Sequence, residues 1–196
     1  MLTSIGQIPA QAAARYGEAT ALAIDSQEIS FADLDQRVGR LANGLHQLGV
    51  REGDRVTLYS PNCWEWIVSY YAVLRLGAVI NPINMMLTPE ETEYVVRDCG
   101  TRVILASVEK GQGILGLKGP SGVDEIILFG STAHAEARCL DELLEGQSPD
   151  RDPVEVSAQA LSTIAYTPGT TGQPKGTSFR PRRVSFAPLI PAPRPL

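Results

Sequence analysis

The chain has few of the residues that mark specialised protein classes. Of its 196 residues only three are cysteine and two are histidine, and its net charge of −5 leaves no excess of basic residues. Cys63, Cys99 and Cys139 are far apart in the sequence, which fits neither a disulfide framework nor the spacing of metal ligands. Proteins that bind nucleic acid through its phosphates need a positive surface, so the negative charge argues against that class.

The chain also lacks an export signal and an uninterrupted apolar run. Its first residues contain no basic start followed by a continuous apolar stretch. Residues 64–83 are apolar enough to consider as a membrane span, but Glu65, Arg75, Gly77 and Pro82 interrupt them. This composition fits a buried helix followed by a strand. We therefore expect no integral membrane segment and a location in the reducing cytoplasm.

Short apolar segments alternate with helical patterns along most of the chain. In residues 31–48, leucine and valine recur at intervals of three and four, which is typical of an amphipathic helix. Thr88, Pro89 and Glu91 form the start signal of another helix, with a threonine cap and a capping box. The predicted helices are 4–16, 31–48, 63–76, 89–99 and 139–144, and the predicted strands are 21–24, 29–31, 54–60, 78–82, 102–106, 125–129 and 162–167.

This alternation predicts an α/β fold with a mostly parallel sheet flanked by helices, because wholly apolar strands are buried on both faces. In such sheets ligands bind at the carboxyl ends of the strands. The last predicted strand leads into residues 167–176, which are rich in glycine and threonine. A phosphate-binding loop is therefore expected at the edge of the sheet where a ligand site belongs.

The residue types in this string suit a triphosphate. Glycine permits positive φ and close approach of the backbone, and successive N–H groups in such turns bind anions. The threonine hydroxyls can donate to phosphate oxygens, and Lys175 adds a positive charge. The string is not the P-loop of ATPases, because Pro174 precedes the lysine and Gly176 follows it, where a magnesium-binding hydroxyl is required. A glycine-rich turn without a ligand is the alternative, and it explains single glycines better than the whole string.

Residues 166–176 resemble the phosphate loop of the adenylate-forming enzymes, which include acyl-CoA synthetases, nonribosomal-peptide adenylation domains and luciferases. That loop reads Tyr-Thr-Ser-Gly-Thr-Thr-Gly-x-Pro-Lys-Gly, and this chain departs from it only at Pro168, in place of serine. Proline removes one N–H and one hydroxyl from the phosphate cradle. Further segments that resemble the family are 30–34, 48–56, 60–62, 74–79, 81–84 and 87–91.

The resemblance implies that residues 1–176 are an incomplete N-terminal domain of the adenylate-forming fold. It implies activation of a carboxylic acid, fatty or aromatic, by ATP with Mg²⁺ to an acyl-adenylate, followed by transfer to coenzyme A as co-substrate. The family's magnesium, ribose and acyl sites follow the loop, so we assign no catalytic or metal-binding residue and expect this chain alone to be inactive. By match of position, the residues that contact the ATP phosphates are Thr167, Gly169, Thr170, Thr171, Gly172 and Lys175.

Residues 177–196 differ in composition from the rest, with five prolines, four arginines and no acidic residue. Proline is barred from helix interiors and removes backbone donors, so we predict a tail that is disordered or derived from a frameshift or a premature end of the reading frame. A basic, proline-rich binding tail is the rival interpretation, because residues 188–191 read Pro-x-x-Pro.

Two other functions remain open at this point. The first is an adenylation domain that loads a carrier protein instead of coenzyme A, which shares the same N-terminal half. The second is a non-enzymatic fragment that binds a nucleotide or a partner protein. A carrier domain encoded after the adenylation region would identify the first, and titration of ATP together with capture of a partner by the intact tail would test the second.

Overall fold

Nine strands and six α-helices occur in the described residues, which are 4–24, 26–130, 135–167 and 173–180 of a computed structural model. Two strands form a separate hairpin, β1 (Thr20–Ile24) and β2 (Gln27–Ser30). The other strands are β3 (Arg55–Tyr59), β4 (Val79–Pro82), β5 (Thr101–Ser107), β6 (Glu125–Phe129), β7 (Arg138–Cys139), β8 (Thr163–Thr167) and β9 (Lys175–Phe179). The helices are α1 (Ile8–Tyr16), α2 (Phe31–Gln47), α3 (Trp64–Arg75), α4 (Pro89–Cys99), α5 (Val108–Gly111) and α6 (Leu140–Leu144).

The seven remaining strands form one sheet in the order β7-β6-β5-β3-β4-β8-β9. Every neighbouring pair is parallel except β8 and β9, which are antiparallel. Parallel strands need crossover connections, and helices supply most of them here. The predicted α/β class with a mostly parallel sheet is confirmed.

Helices cover both faces of this sheet, as alternate residues of the buried strand β5 show. Val103 and Leu105 belong to one buried cluster, which also includes residues of α2, α3 and α6. Ile104 and Ala106 belong to a second cluster, which includes residues of α4. Because successive side chains of a strand point to opposite faces, the two clusters are the two sides of one sheet.

The predicted helix boundaries agree closely with the structure. Ser30 caps α2 by accepting a hydrogen bond from the Asp33 N–H at 3.1 Å. The capping box of α4 forms in both directions between Thr88 and Glu91, at 2.9 and 3.2 Å. Gly100 ends α4 in the left-handed conformation with φ of 65°, as expected for a glycine at this position.

Several short elements differ from the prediction. The second strand was predicted at 29–31, but it covers Gln27–Ser30, and Phe31 begins α2. Strands β7 and β9 and the helical segments between 108 and 117 were not predicted, because they are too short or too exposed for a periodic signal. The predicted boundary at Gly176 falls inside β9, and most of the predicted tail, 181–196, lies outside the described residues. Its disorder stays a prediction.

No helix in the described parts of the chain is long and apolar enough to cross a membrane. The most apolar helix, α3, has 12 residues, whereas a membrane-spanning helix needs about 20. Its Arg75 and the following strand β4 are buried in the protein. This agrees with the prediction of a buried helix and strand in that segment.

Gly39 lies on the buried face of α2, where the connection after α6 approaches the helix closely. A Cβ atom at this position would lie 1.8 Å from the carbonyl oxygen of Pro149. Alanine is favoured over glycine in helices by about 1 kcal/mol, but here the opposing backbone would have to move. We expect Gly39→Ala to lower the free energy of unfolding by about 2 kcal/mol, as measured by urea denaturation.

Gly113→Ala is the matched control, because a Cβ atom there would meet nothing within 4 Å. It should change the free energy of unfolding by less than about 0.5 kcal/mol. Equal stability of the Gly39→Ala variant and the unaltered chain would contradict the close approach of Pro149 to α2.

Candidate functional site

Strands β8 and β9 form an antiparallel hairpin, which is the hairpin meant from here on, and they hold the two ends of the predicted phosphate loop together. Thr167, the last residue of β8, pairs with Lys175, the first residue of β9. Residues directly opposite each other in an antiparallel pair have their side chains on the same face, with Cβ atoms about 5 Å apart. The structure therefore brings together the first and the last predicted phosphate-binding residues, which are eight positions apart in sequence.

Four predicted phosphate-binding residues and Pro168 lie outside the described residues; the four are Gly169, Thr170, Thr171 and Gly172. Their contacts with phosphate stay predictions, as does the effect of the proline. The described part of the site thus consists of the two strand ends.

These strand ends lie at the carboxyl edge of the parallel sheet. Strand β8 is parallel to β4, with Thr163 opposite Ile80, so Thr167 is at the same edge as the last residues of β3, β5 and β6. In open α/β sheets this edge is where ligands bind. The location that the sequence predicted for the site agrees with the position of the hairpin in the sheet.

Lys175 is free to hold an anion. Its side chain is exposed, and among the described residues it belongs to none of the ion pairs. Thr167 is exposed as well and offers a hydroxyl donor. An exposed ammonium opposite an exposed hydroxyl fits the oxygens of a phosphate chain.

A cavity of about 270 Å³ opens at the same edge, beyond the ends of β3, β5 and β6. Ser60 and Cys63 follow β3, Ser107 ends β5, and Phe129 ends β6. Burial raises the pKa of the Cys63 thiol, which keeps it protonated at neutral pH and a weak nucleophile. The cavity thus lies at the carboxyl edge of the sheet, with strand β4 between it and strands β8 and β9.

The sequence profile of the AMP-binding enzymes matches residues 9–184, which is most of the chain. The chain belongs to the AMP-binding enzyme family. The match includes the candidate loop and continues past strand β9.

Relatives of this AMP-binding family chain are CoA ligases. It is 30% identical over 182 residues to the crotonobetaine/carnitine–CoA ligase of Salmonella arizonae, covering 88% of this chain and 35% of that protein. It is 31% identical over 172 residues to a feruloyl-CoA synthase of Amycolatopsis, covering 88% of this chain and 32% of the relative. The chain thus spans about a third of the length of these curated relatives.

Solved structures of CoA ligases share the fold. The anthranilate–CoA ligase AuaEII in complex with anthranoyl-AMP superimposes with a TM-score of 0.86 at 26% identity, over 90% of this chain and 34% of that one. The N-terminal domain of FACL13 from Mycobacterium tuberculosis gives 0.80 at 29% identity, over 91% of this chain and 44% of that one. The sheet is therefore part of an adenylate-forming fold.

The structure adds one contact to the loop of this family member that the sequence did not predict. The Tyr166 hydroxyl, next to Thr167, donates to Oδ2 of Asp98 at 2.5 Å. Burial, together with this hydrogen bond, raises the pKa of Tyr166, so the phenol stays protonated and remains a donor. Asp98 lies 68 positions away in sequence, and no motif or periodicity links it to the loop.

No group of three or more histidine, cysteine, aspartate or glutamate side chains that could hold a metal ion occurs in the part of the chain that the structure describes. The cysteines Cys63, Cys99 and Cys139 are all free thiols.

Proposed function

We propose that this chain carries the phosphate-binding part of an AMP-forming acid–CoA ligase. The observation that supports this most directly is the pairing of Thr167 with Lys175 at the carboxyl edge of the sheet. This arrangement occurs in a chain of the AMP-binding enzyme family. In the complete reaction a carboxylic acid and ATP form an acyl-adenylate with release of pyrophosphate, and the coenzyme A thiol then takes the acyl group with release of AMP.

In this proposal the two strand ends hold the phosphates of ATP. Lys175 neutralises negative charge on the phosphate oxygens, and the Thr167 hydroxyl donates a hydrogen bond to them. Gly169, Thr170, Thr171 and Gly172 would complete the cradle. Bound ATP supplies the α-phosphate that the substrate carboxylate attacks, with pyrophosphate as the leaving group. Such a reaction depends on positioning and on neutralisation of charge.

The acid is proposed to be aromatic or fatty. Relatives are named for feruloyl-CoA synthesis and for anthranilate–CoA and long-chain-fatty-acid–CoA ligation. These names favour coenzyme A as the acceptor over a carrier protein. Mg²⁺ would accompany ATP, and we assign none of the described residues to it.

Residues 1–176 are proposed as part of the adenylate-forming N-terminal domain, and 177–196 as a tail. This boundary rests on composition alone. Strand β9 continues past it to Phe179, and the family profile continues to residue 184. A cytoplasmic location belongs to the same proposal, and the free thiols of the three cysteines are compatible with a reducing compartment.

Titration of the 196-residue chain with Mg-ATP, tripolyphosphate and AMP tests the proposed role. We expect ATP and tripolyphosphate to bind with affinities within about tenfold of each other and AMP to bind at least tenfold more weakly, since the assigned contacts are all to phosphate. Isothermal calorimetry measures all three. Failure of both ATP and tripolyphosphate to bind would contradict the proposal.

A release assay tests the expected lack of turnover. With Mg-ATP, coenzyme A and ferulate, anthranilate or a long-chain fatty acid, the purified chain should release no acid-dependent pyrophosphate. The reason is that the magnesium, ribose and acyl sites implied by the resemblance follow the loop. Clear turnover with any of these acids would show that the 196 residues suffice for the first half-reaction.

A further inference from the structure

The end of β8 that leads into the phosphate loop is held weakly by the sheet. Strand β8 pairs with β4 at one position, Thr163 opposite Ile80. Its last three residues, 165–167, pair only with β9, all of whose residues are exposed. Backbone pairing with an exposed edge strand restricts movement of the strand end poorly, because such pairs open at low cost in free energy.

The side chain of Tyr166 provides a second attachment at this point. Its hydroxyl donates to Asp98 Oδ2 at 2.5 Å, and its ring packs against the cluster that includes Val95 and Val96 of α4. The ring also lies across Gly176, the residue of β9 that pairs with Tyr166. A Cβ atom added to Gly176 would be 3.0 Å from the ring. The ring therefore contacts both the helix and the hairpin, and the hydroxyl fixes its direction.

Asp98 lies on a part of the fold that is itself held firmly. The last turn of α4 is attached to the central strand β3 by Arg55, whose guanidinium donates to the carbonyl oxygens of Cys99 at 3.0 Å and Gly100 at 2.6 Å. Cationic donors at a helix C-terminus satisfy its free carbonyl groups and its dipole. Arg55 thus attaches the end of α4 that carries Asp98 to strand β3. The hydrogen bond from Tyr166 to Asp98 connects the loop to this attached helix end.

We propose that Asp98 and Tyr166 are a positioning pair that holds the Thr167–Lys175 strand ends in the geometry required to bind phosphate. Neither side chain needs to touch the ligand. The pair acts by limiting the movement of the hairpin ends relative to α4. The inference rests on the proposed function for the phosphate contacts, but the attachment itself can be measured without a nucleotide.

Hydrogen exchange of the unliganded chain tests the attachment. In Tyr166→Phe and Asp98→Ala, we expect the amides of the β8–β9 ladder to exchange about tenfold faster, with unchanged exchange in α2 and β5. Asp98→Asn retains an oxygen acceptor and should restore most of the protection. Tyr16→Phe is the matched control, because it removes a phenol hydroxyl from α1, where the ring packs against Phe31 of α2 and not against β8 or β9. Unchanged exchange in Tyr166→Phe and Asp98→Ala would overturn the inference whether or not ATP binds.

Affinity for Mg-ATP and tripolyphosphate tests the positioning role. We expect about tenfold weaker binding by Tyr166→Phe and by Asp98→Ala, and no further loss in the double variant, because both changes remove one interaction. Asp98→Asn should recover most of the affinity, which a general loss of stability would not produce. Wild-type affinity in the Tyr166→Phe and Asp98→Ala variants would overturn the positioning role. Absence of binding by the unaltered chain would instead contradict the proposed function. Hydrogen exchange would still show whether Tyr166 and Asp98 restrict the movement of β8 and β9.

Discussion

Replacement of Lys175 by alanine is expected to weaken binding of Mg-ATP and tripolyphosphate by about 10- to 100-fold. The estimate corresponds to the loss of a hydrogen bond with a charged partner, which contributes about 1.5–3 kcal/mol. Lys175 is exposed and has no ion-pair partner among the described residues, so its charge is available to the ligand. Isothermal titration of both chains under the same conditions measures the difference.

Lys110→Ala is the matched control for this substitution. Lys110 lies in α5, just after β5, and its ammonium is 5.8 Å from the centre of the Tyr59 ring. The variant removes the same charge from the same edge of the sheet, but away from the hairpin, and should change affinity less than about twofold. Equal affinity of Lys175→Ala and the unaltered chain would show that the loop does not hold phosphate through this lysine.

Asp35→Ala is expected to produce the largest loss of stability, about 3 kcal/mol. Its carboxylate forms an ion pair with Arg75, whose side chain is only 2% exposed. Removal of the carboxylate leaves a guanidinium charge buried between α2 and α3, whose remaining hydrogen bond within the described residues is to the Asp35 carbonyl oxygen at 3.4 Å. Urea denaturation followed by circular dichroism measures the free energy of unfolding.

Glu93→Ala removes a comparable ion pair that is exposed to solvent. The Glu93 and Arg97 side chains are 44% and 51% exposed, so this change should cost less than about 0.5 kcal/mol. A second test replaces both charges in Asp35→Ala/Arg75→Met. Because burial of an unpaired charge causes most of the loss, the double variant should be more stable than Asp35→Ala. A double variant that is less stable would contradict this explanation.

Local signals predicted the main elements of this fold well. The helix starts at Ser30 and Thr88 depend on side chains within three residues of the cap, so they can be read without tertiary structure. Strands β3, β5 and β6 are apolar because helices cover both faces of the sheet, and this composition is itself visible in the sequence. The class and the edge of the sheet at which the loop lies followed from these two signals.

Other elements formed only through contacts distant in sequence. Strand β9 has five exposed residues with no alternation, and it is a strand because β8 offers it a partner. The composition change after Gly176 therefore did not mark the end of regular structure. Strand β7 has two residues, which is too short for any periodic pattern to indicate it.

The sequence by itself determined the family of this protein and its α/β class, and it predicted the residues of the phosphate loop, because glycine, threonine and lysine in this order have the local chemistry that phosphate binding needs. Tertiary structure decided how the ends of that loop are held. The pairing of Thr167 with Lys175 required the hairpin, and the contact of Tyr166 with Asp98 required α4 to pack beside β8. A hydrogen bond across 68 positions leaves no local pattern, since the fold alone brings its donor and acceptor together.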